Sequence, residues 1–443
     1  MKLYLLTDVG STWTKLTAVD GGGNIVAQAT KPTTANTDVM LGFNEAFADI
    51  KAQVGQGEFQ LLACSSAAGG LAMIACGLVP ELTGQAAKMA VLGAGAKVLK
   101  VYGYDLNRDD VREIQELHPD MILLAGGTDG GNRQILLDNA AVLAESVLPL
   151  PVVLAGNRNV AHEAADILRT AGYAVEVANN VMPELGELRI DSARESIRKV
   201  FLEHIVHAKG MDNLNALLAG PMLPTPAAVM AGGRLLAQEF DELLLVDIGG
   251  ATTDVYSYGA MDVPPGMMRK GLPPPWDMRT VEADIGMRHS LTSLVTQVGL
   301  ETVLAKAEDR ECWRRELREI EASPGRLISP GLEGLETILG RHAVEISVTR
   351  HAGSVERIYS PTGFIDVLQG KDLRGVKTVV GIGGVMVNCA KPQKILKFPA
   401  TGLLPRTPKL MVDKNYIMAA AGLLADREPE LALIMLKNSL ASL

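Results

Sequence analysis

The chain has 443 residues, of which 47% are hydrophobic and 21% are charged. This composition excludes disorder as its main character and predicts about three domain-sized units with buried cores. The net charge of −9 argues against nucleic-acid binding, which depends on clustered lysine and arginine. An acidic protein can still bind ATP, because backbone amides and a metal ion contact the phosphates.

The cysteines and the N-terminus indicate a reducing compartment. The four cysteines, Cys64, Cys76, Cys312 and Cys389, form no CxxC pair and no zinc or iron–sulfur spacing, so we expect free thiols. The first apolar stretch soon meets Asp8 and is too short for a signal peptide. The uncharged segment Phe59–Pro80 favours a strand, a tight turn and a buried helix over a membrane span. We therefore expect a cytoplasmic protein.

The first half opens with a predicted hairpin and continues as alternating strands and helices. Leu3–Thr7 and Lys15–Val19 are the hairpin strands, and Val39–Gln53 has helical spacing. Strands and helices then alternate and predict a small inserted parallel α/β unit. Its strands are predicted at Lys97–Tyr102, Met121–Ala125, Val152–Ala155 and Ala174–Ala178, and its helices at Asp109–Leu117, Arg133–Ser146 and Val160–Thr170.

The second half begins after an amphipathic helix at Ser192–Lys209 and a seam at Leu223–Pro226. A second hairpin is predicted from Leu243–Ile248 and Asp254–Tyr258. Further along, the sequence predicts an irregular exposed loop, one charged helix, a strand before two glycines and two final helices. These lie at Pro264–Pro275, Glu301–Glu321, Thr378–Ile382, Asn415–Leu424 and Pro429–Leu440.

Both hairpins carry an aspartate at the end of an apolar strand, followed by a turn of small residues. Such turns offer backbone N–H groups and hydroxyls to phosphate, and glycine allows close approach. The predicted contacts are Gly10, Ser11, Thr12, Thr14, Lys15, Gly249, Gly250, Thr252 and Thr253. Asp8 and Asp247 are better suited to hold water around Mg²⁺ than to touch phosphate. Either hairpin alone is compatible with an ordinary turn.

A third glycine site, Gly383-Gly384, would let the backbone lie against a nucleoside. It is followed by a helix of small residues, Tyr416–Gly422. Two phosphate hairpins, an adenosine segment and a small-residue helix, in this order, resemble the actin-like ATPase superfamily of sugar kinases and heat-shock chaperones. No GxxxxGK[ST] segment and no GxGxxG after a strand is present.

That resemblance implies an α/β fold of two lobes with ribonuclease H-like halves and an inserted α/β subdomain in the first lobe. The boundaries expected are 1–95 for the first part of lobe I, 96–190 for the insertion and 191–238 for the remainder of lobe I. Lobe II would span 239–412, and the C-terminal connecting helices 413–443. The two hairpins would then face each other across a nucleotide cleft.

Longer segments resemble the accessory protein of adenosylcobalamin-dependent glutamate mutase and related aminomutases. They are Asp8–Lys15, Cys64–Leu71, Ala125–Gly131, Asp247–Asp254, Thr280–Arg288, Arg350–Gly353, Gln369–Leu373, the Gly383 segment and Asp413–Tyr416. One departure is Ala283, where glycine is expected. The resemblance implies a cytoplasmic ATPase with ATP and Mg²⁺ that acts as a reactivating chaperone. Its client would be a mutase that has retained damaged cobalamin. We expect this protein to have no nucleic-acid or membrane partner.

Several alternatives remain open at the level of the sequence. A small-molecule kinase on the same fold would need a carboxylate beside an acceptor hydroxyl, and a protein that only binds nucleotide would show no turnover. Monomer and homodimer are both compatible with the chain. No DxHxxG segment supports direct cobalamin ligation.

Individual residues also carry competing interpretations. Lys15 either neutralises phosphate or points to solvent. Glu282 is the third predicted catalytic residue, beside Asp8 and Asp247. Glu282 or the nearby Asp284 either orients the attacking water or caps a helix. His351 is expected to make a structural hydrogen bond. Gly126–Gly131 is either a second ligand or client site or a plain turn.

Overall fold

The computed structural model describes residues 2–34, 37–55, 57–66, 71–146, 148, 150–204, 210–260, 262–361 and 363–443. The chain forms two compact units. Unit 1 comprises Met1–Asp20, Val26–Ala228 and Gly271–Pro275, and unit 2 comprises Gly21–Ile25, Val229–Lys270 and Trp276–Leu443.

Unit 1 contains ten strands, eight α-helices and one π-helix turn (Pro80–Gly84) among its described residues, the last α-helix continuing into unit 2. The strands are β1 (Lys2–Val9), β2 (Trp13–Val19), β3 (Ile25–Pro32), β4 (Glu58–Ser65), β5 (Ala72–Gly77), β6 (Lys97–Gly103), β7 (Met121–Leu124), β8 (Val152–Leu154), β9 (Val175–Val177) and β10 (Leu223–Pro224). The helices are α1 (Val39–Val54), α2 (Gln85–Gly93), α3 (Arg108–Leu117), α4 (Gln134–Ala144), α5 (Ala161–Thr170), α6 (Asp191–His204), α7 (Met211–Asn215) and α8 (Thr225–Leu236).

The first sheet of unit 1 is built around β1. Its strand order is β10-β4-β1-β2-β3. β1 pairs antiparallel with β2 and parallel with β4, and β10 runs parallel to β4. The predicted hairpin and the helix at 39–53 are confirmed. Asp38 starts that helix by accepting a hydrogen bond from Met40 N–H.

The second sheet of unit 1 is the inserted α/β unit. It has five parallel strands in the order β6-β5-β7-β8-β9, and all four strands predicted for it are present. β5 precedes the expected boundary at residue 96, so this sheet begins earlier in the chain. The buried helix expected near the end of Phe59–Pro80 is wrong, because Ala72–Gly77 is a strand. Residues 67–70 of the Cys64–Leu71 segment lie outside the described residues.

Unit 2 contains nine strands, seven α-helices and one 3₁₀-helix turn (Pro392–Lys394) among its described residues. The strands are β11 (Leu243–Ile248), β12 (Thr253–Tyr258), β13 (Met267–Arg269), β14 (Asp277–Glu282), β15 (Ser354–Ser360), β16 (Gly363–Gln369), β17 (Thr378–Ile382), β18 (Lys409–Asp413) and β19 (Leu440–Ser442). The helices are α9 (Leu291–Val298), α10 (Leu300–Leu304), α11 (Arg310–Ala322), α12 (Glu333–His351), α13 (Gly384–Asn388), α14 (Met418–Gly422) and α15 (Pro429–Ser439).

The main sheet of unit 2 repeats the first sheet of unit 1. Its order is β14-β12-β11-β17-β18-β19. β11 pairs antiparallel with β12 and parallel with β17, as β1 does with β2 and β4. This repeated order, with an inserted α/β sheet in unit 1, is the predicted actin-like ATPase fold. Among the described helices, none is both long and apolar enough to span a membrane.

The seam expected at Leu223–Pro226 contains β10 and the start of α8, and it lies just before the change from unit 1 to unit 2 after Ala228. Three other sequence predictions differ from the structure. The Pro264–Pro275 loop contains β13, which pairs with β16. The charged helix predicted at Glu301–Glu321 is two helices, α10 and α11, because the chain turns between them. The helix predicted at Asn415–Leu424 is only the short α14. Residues 205–209 of the Ser192–Lys209 helix lie outside the described part.

Candidate nucleotide-binding site

The hairpin of unit 1 is closed by a hydrogen bond across its turn. Gly10 N–H donates to the carbonyl oxygen of Trp13 at 3.0 Å. A Cβ atom at position 10 would lie 2.8 Å from that oxygen, which is closer than side-chain carbons pack. Glycine is therefore required by the turn itself, whether or not a ligand binds there.

The hairpin of unit 2 has the same turn. Gly249 N–H donates to the carbonyl oxygen of Thr252 at 2.9 Å, and a Cβ atom on Gly249 would lie 3.0 Å from it. The aspartate lies two residues before this glycine in both hairpins. The two hairpins therefore share the hydrogen bond that closes the turn.

Three groups of unit 1 surround Asp8. The Thr225 hydroxyl donates to Asp8 Oδ1 at 2.8 Å, and the Cys64 thiol contacts the same oxygen at 3.5 Å. Lys15 Nζ is 3.6 Å from Asp8 Oδ2. Burial, together with the nearby Asp8 carboxylate, raises the pKa of the Cys64 thiol. The thiol therefore stays protonated and can act as a donor.

Lys15 is directly opposite Asp8 in the register of β1 and β2. Its side chain is one quarter exposed and forms an ion pair with Asp8. The Lys15 side chain is thus not fully solvated, and its ammonium group lies close to the Asp8 carboxylate. A cation at this place is suited to phosphate binding, one of the two interpretations left open by the sequence.

The corresponding position in unit 2 carries the opposite charge. Asp254 lies opposite Asp247 and is held by Arg279, whose Nη2 is 2.6 Å from Asp254 Oδ1. Thr252, a predicted phosphate contact, donates to Asp254 Oδ2 at 3.1 Å. The two hairpins therefore share a backbone but differ in the charge beside the aspartate.

The predicted hydroxyl contacts fall into two groups. Ser11 is exposed, and Thr12 and Thr252 are half-buried. Thr14 and Thr253 are buried, with Thr14 hydrogen-bonded to Thr33 at 2.9 Å and Thr253 donating to the carbonyl of Ile285 at 2.9 Å. The Thr253 hydroxyl proton is therefore already used, and burial keeps both hydroxyls away from a phosphate at the turn.

Within unit 2, the structure brings the Gly383 segment to the end of the strand that carries Asp247. β17 runs parallel to β11 and pairs Ile382 with Asp247. Gly383 has a φ of +103°, and a Cβ atom there would overlap the carbonyl oxygen of Ile248. Gly384 is exposed. Among the described residues, the nearest side-chain atom to a Cβ added there is the Asn388 nitrogen, at 3.9 Å.

The segment after β14 supports the turn of unit 2. Met287 N–H donates to the Gly249 carbonyl, while Arg288 and His289 N–H both donate to the Gly250 carbonyl. A side chain at Gly286 would collide with this turn. Sequence reasoning did not assign this role, although the residues lie inside the Thr280–Arg288 segment.

Glu282 and Asp284 bind side chains rather than capping a helix. Arg350 Nη1 donates to Glu282 Oε2 at 2.5 Å, and Asp284 accepts hydrogen bonds from Gln297 and Ser293 of α9. Glu282 pairs with Thr253 across β14 and β12. It therefore lies at the same end of the sheet as the turn of unit 2, while its place in catalysis stays a prediction.

The Gly126–Gly131 loop follows β7 and is held by polar side chains of the same unit. Asn180 donates to the Gly127 carbonyl at 3.0 Å and to Asp129 at 2.9 Å. Asn157 donates to the Asn132 carbonyl at 3.0 Å. These bonds account for an ordered turn, and a ligand at this loop stays a hypothesis.

His351 makes the structural hydrogen bonds expected of it. Its Nδ1 lies 2.8 Å from the Thr280 hydroxyl, and its Nε2 lies 2.8 Å from the Ser257 hydroxyl. Burial, and to a lesser extent Lys371, lower the pKa of His351 to about 3. The imidazole is therefore neutral in the folded protein.

All four cysteines are free thiols, as expected.

The His351 environment predicts an acid-sensitive stability. The unfolded chain takes up the imidazole proton near pH 6.5 and the folded chain only near pH 3. The contribution of neutral His351 to the free energy of unfolding is therefore complete above pH 6.5 and is lost as the pH falls. The slope is at most about 1.4 kcal/mol per pH unit. Urea unfolding between pH 7 and pH 4 should show a steeper decline for the natural chain than for His351→Gln. Parallel curves would contradict this prediction.

The donor set fits Mg²⁺ held through water. Among the described residues, no group of three His, Cys, Asp or Glu side chains is placed to hold a metal ion. Asp8 presents one carboxylate whose Oδ1 already accepts a hydroxyl, with Oδ2 beside Lys15. A single carboxylate oxygen of this kind is typical of binding to hydrated Mg²⁺, which retains several waters.

Two solved structures are similar to this chain at a low level. Component A of (R)-2-hydroxyglutaryl-CoA dehydratase from Acidaminococcus fermentans is 10% identical, with 99% of each chain covered and a TM-score of 0.32. Plasmodium falciparum glycerol kinase with ADP is 11% identical, with 100% of this chain and 94% of that chain covered and a TM-score of 0.36.

A family model and a curated relative match almost the whole chain. The model, described as MutL protein, matches residues 4–440. The protein named MutL from Clostridium tetanomorphum is 44% identical over 459 residues, and the match covers 99% of both chains. Because both matches extend from the first hairpin to the final helix, the chain belongs to the MutL family.

Proposed function

We propose that the protein is an ATPase that reactivates an adenosylcobalamin-dependent mutase, either glutamate mutase or a related aminomutase. The observation that supports this most directly is the repeated hairpin with its terminal aspartate, in a chain of the MutL family. The client follows from the resemblance of the longer segments to the mutase accessory protein.

In this proposal the two hairpins bind the phosphates of ATP. Backbone N–H groups of the turns, the Ser11 and Thr12 hydroxyls and the Lys15 ammonium would contact phosphate oxygens. The Thr252 hydroxyl would donate to phosphate after releasing its hydrogen bond to Asp254. Thr14 and Thr253 would support the turns from within their units, because their hydroxyls are already bonded there. Gly384, exposed beside Gly383, would lie against the nucleoside.

Asp8 and Asp247 would orient water molecules of a hydrated Mg²⁺ ion. When bound, the metal supplies positive charge that offsets the charge developing on the phosphates. Glu282 is the side chain proposed to orient the attacking water. Arg350 donates to Oε2 of this carboxylate, so Oε1 would be the oxygen that accepts the hydrogen bond from the water.

Reactivation requires that the ATP and ADP states bind the client with different affinity. A nucleotide that bound both conformations equally well could not loosen the mutase. The energy of hydrolysis would then be used to let damaged cobalamin leave and intact adenosylcobalamin enter. The protein itself needs no cobalt ligand for this task.

The proposal is tested by reactivating a mutase that has been inactivated by turnover. The assay contains inactivated glutamate mutase, this protein, Mg²⁺-ATP and fresh adenosylcobalamin, and we expect recovered mutase activity. Matched reactions contain ADP or a non-hydrolysable ATP analogue, which should give little recovery.

No recovery with an authentic client would contradict the reactivation proposal. A small-molecule kinase would instead show ATP consumption stimulated by a metabolite and a phosphorylated product. Tight nucleotide binding without turnover would indicate a protein that only binds nucleotide.

A further inference from the structure

Thr225 lies far from Asp8 in sequence but next to it in unit 1. It is the first residue of α8, directly after β10. β10 is the neighbour of β4, and β4 is the neighbour of β1. In this register Cys64 pairs with both Asp8 and Leu223, so the three parallel strands end side by side.

The hydrogen bond between Thr225 and Asp8 has a defined direction. An ionised carboxylate only accepts, so the threonine hydroxyl is the donor at 2.8 Å. The Cys64 thiol approaches the same Oδ1 at 3.5 Å and is the weaker donor. Both donors lie on one side of the carboxylate, while Oδ2 faces Lys15.

We propose that Thr225 is a positioning residue for Asp8 in Mg²⁺-nucleotide binding, an inference that rests on the proposed function. By holding Oδ1, the hydroxyl fixes the carboxylate so that Oδ2 is directed to the hydrated metal. A carboxylate free to rotate would lose conformational entropy on binding, and a preorganised one avoids that cost.

Thr225→Val removes the hydroxyl while keeping the shape of the side chain, and Thr225→Ser restores it. Mg²⁺-ATP and metal-free ATP binding are measured separately by calorimetry, the second in EDTA. For Thr225→Val we expect a roughly tenfold loss of affinity for Mg²⁺-ATP, as for loss of a hydrogen bond to a charged group. Affinity for metal-free ATP should change by less than about threefold. The Thr225–Asp8 hydrogen bond affects binding only through the carboxylate directed to the metal, and no metal is present in that measurement.

Three variants keep the test decisive. Thr225→Ser should recover most of the Mg²⁺-ATP affinity, and Cys64→Ala should weaken it less than Thr225→Val does. Thr225→Ala is the second hydroxyl-free variant, used if the valine protein fails to fold. Thermal unfolding without nucleotide reports whether each variant retains its structure.

The outcomes separate this inference from the proposed function. Wild-type Mg²⁺-ATP affinity in a hydroxyl-free variant, with reduced affinity in Asp8→Asn, would overturn the role of Thr225 and leave the function standing. Equal weakening of Mg²⁺-ATP and metal-free ATP binding would also overturn it, because that pattern indicates a structural role alone. If the natural chain binds no ATP, the proposed function itself fails.

Discussion

Asp8→Asn and Asp247→Asn should each lower ATP hydrolysis roughly a hundredfold or more, the scale seen when one charge-stabilising group is removed from an active site. Asparagine keeps an oxygen for the Thr225 hydroxyl at position 8, so unit 1 should remain folded. Loss of the negative charge removes the group proposed to orient metal-bound water. Steady-state ATPase rates at saturating Mg²⁺ are the measurement.

A matched control for these variants is Asp49→Asn. Asp49 is a half-exposed carboxylate of unit 1 that pairs with Lys31 at 2.8 Å, and such surface pairs contribute less than about 1 kcal/mol. Its ATPase rate should equal that of the natural chain. If both hairpin variants also hydrolyse ATP at the natural rate, the proposed placement of the metal-directed carboxylates is wrong.

Gly383→Ala should destabilise unit 2 strongly, by about 3 kcal/mol or more. A positive φ costs an alanine about 1–2 kcal/mol, and the new Cβ would also overlap the Ile248 carbonyl oxygen. Relief would require β17 to move away from β11. Urea unfolding or the yield of folded protein measures the effect.

The neighbouring glycine gives an almost ideal comparison for that variant. Gly384→Ala adds the same methyl group one residue later, where the nearest side chain among the described residues is Asn388, at 3.9 Å. Its stability should stay within about 0.5 kcal/mol of the natural chain, the usual range for open surface positions. If the nucleoside lies against this backbone, the nucleotide affinity of Gly384→Ala should fall below that of the natural chain.

These two glycine variants therefore separate folding from binding. Natural stability in Gly383→Ala would contradict the backbone constraint. Unchanged nucleotide affinity in Gly384→Ala would contradict the adenosine role proposed for this segment.

Local patterns predicted the two hairpins and most of the inserted α/β unit. The glycine turns could be located because Gly10 and Gly249 are required by contacts within four residues of chain. The helix at 39–53 was equally accessible, since its apolar spacing and its Asp38 cap lie in the same segment.

The errors arose where long-range pairing decides the local structure. Ala72–Gly77 is a strand between two others and is buried on both faces, so it lacks the alternation that marks a half-exposed strand. The Pro264–Pro275 segment predicts a loop because prolines at 264–265 and 273–275 flank β13, which contains none. The strand conformation of β13 depends on its pairing with β16. The hairpin β15–β16 and the 19-residue helix α12 were not predicted.

For this protein, the sequence alone determined the order of the glycine-rich segments, and with it the expected fold and the residues of the candidate site. Only the tertiary structure decided what surrounds Asp8, because Cys64 and Thr225 lie 56 and 217 residues away along the chain. Parallel strands become neighbours through long crossover connections. The side chains that meet at their ends consequently have no spacing from which their contact could be inferred.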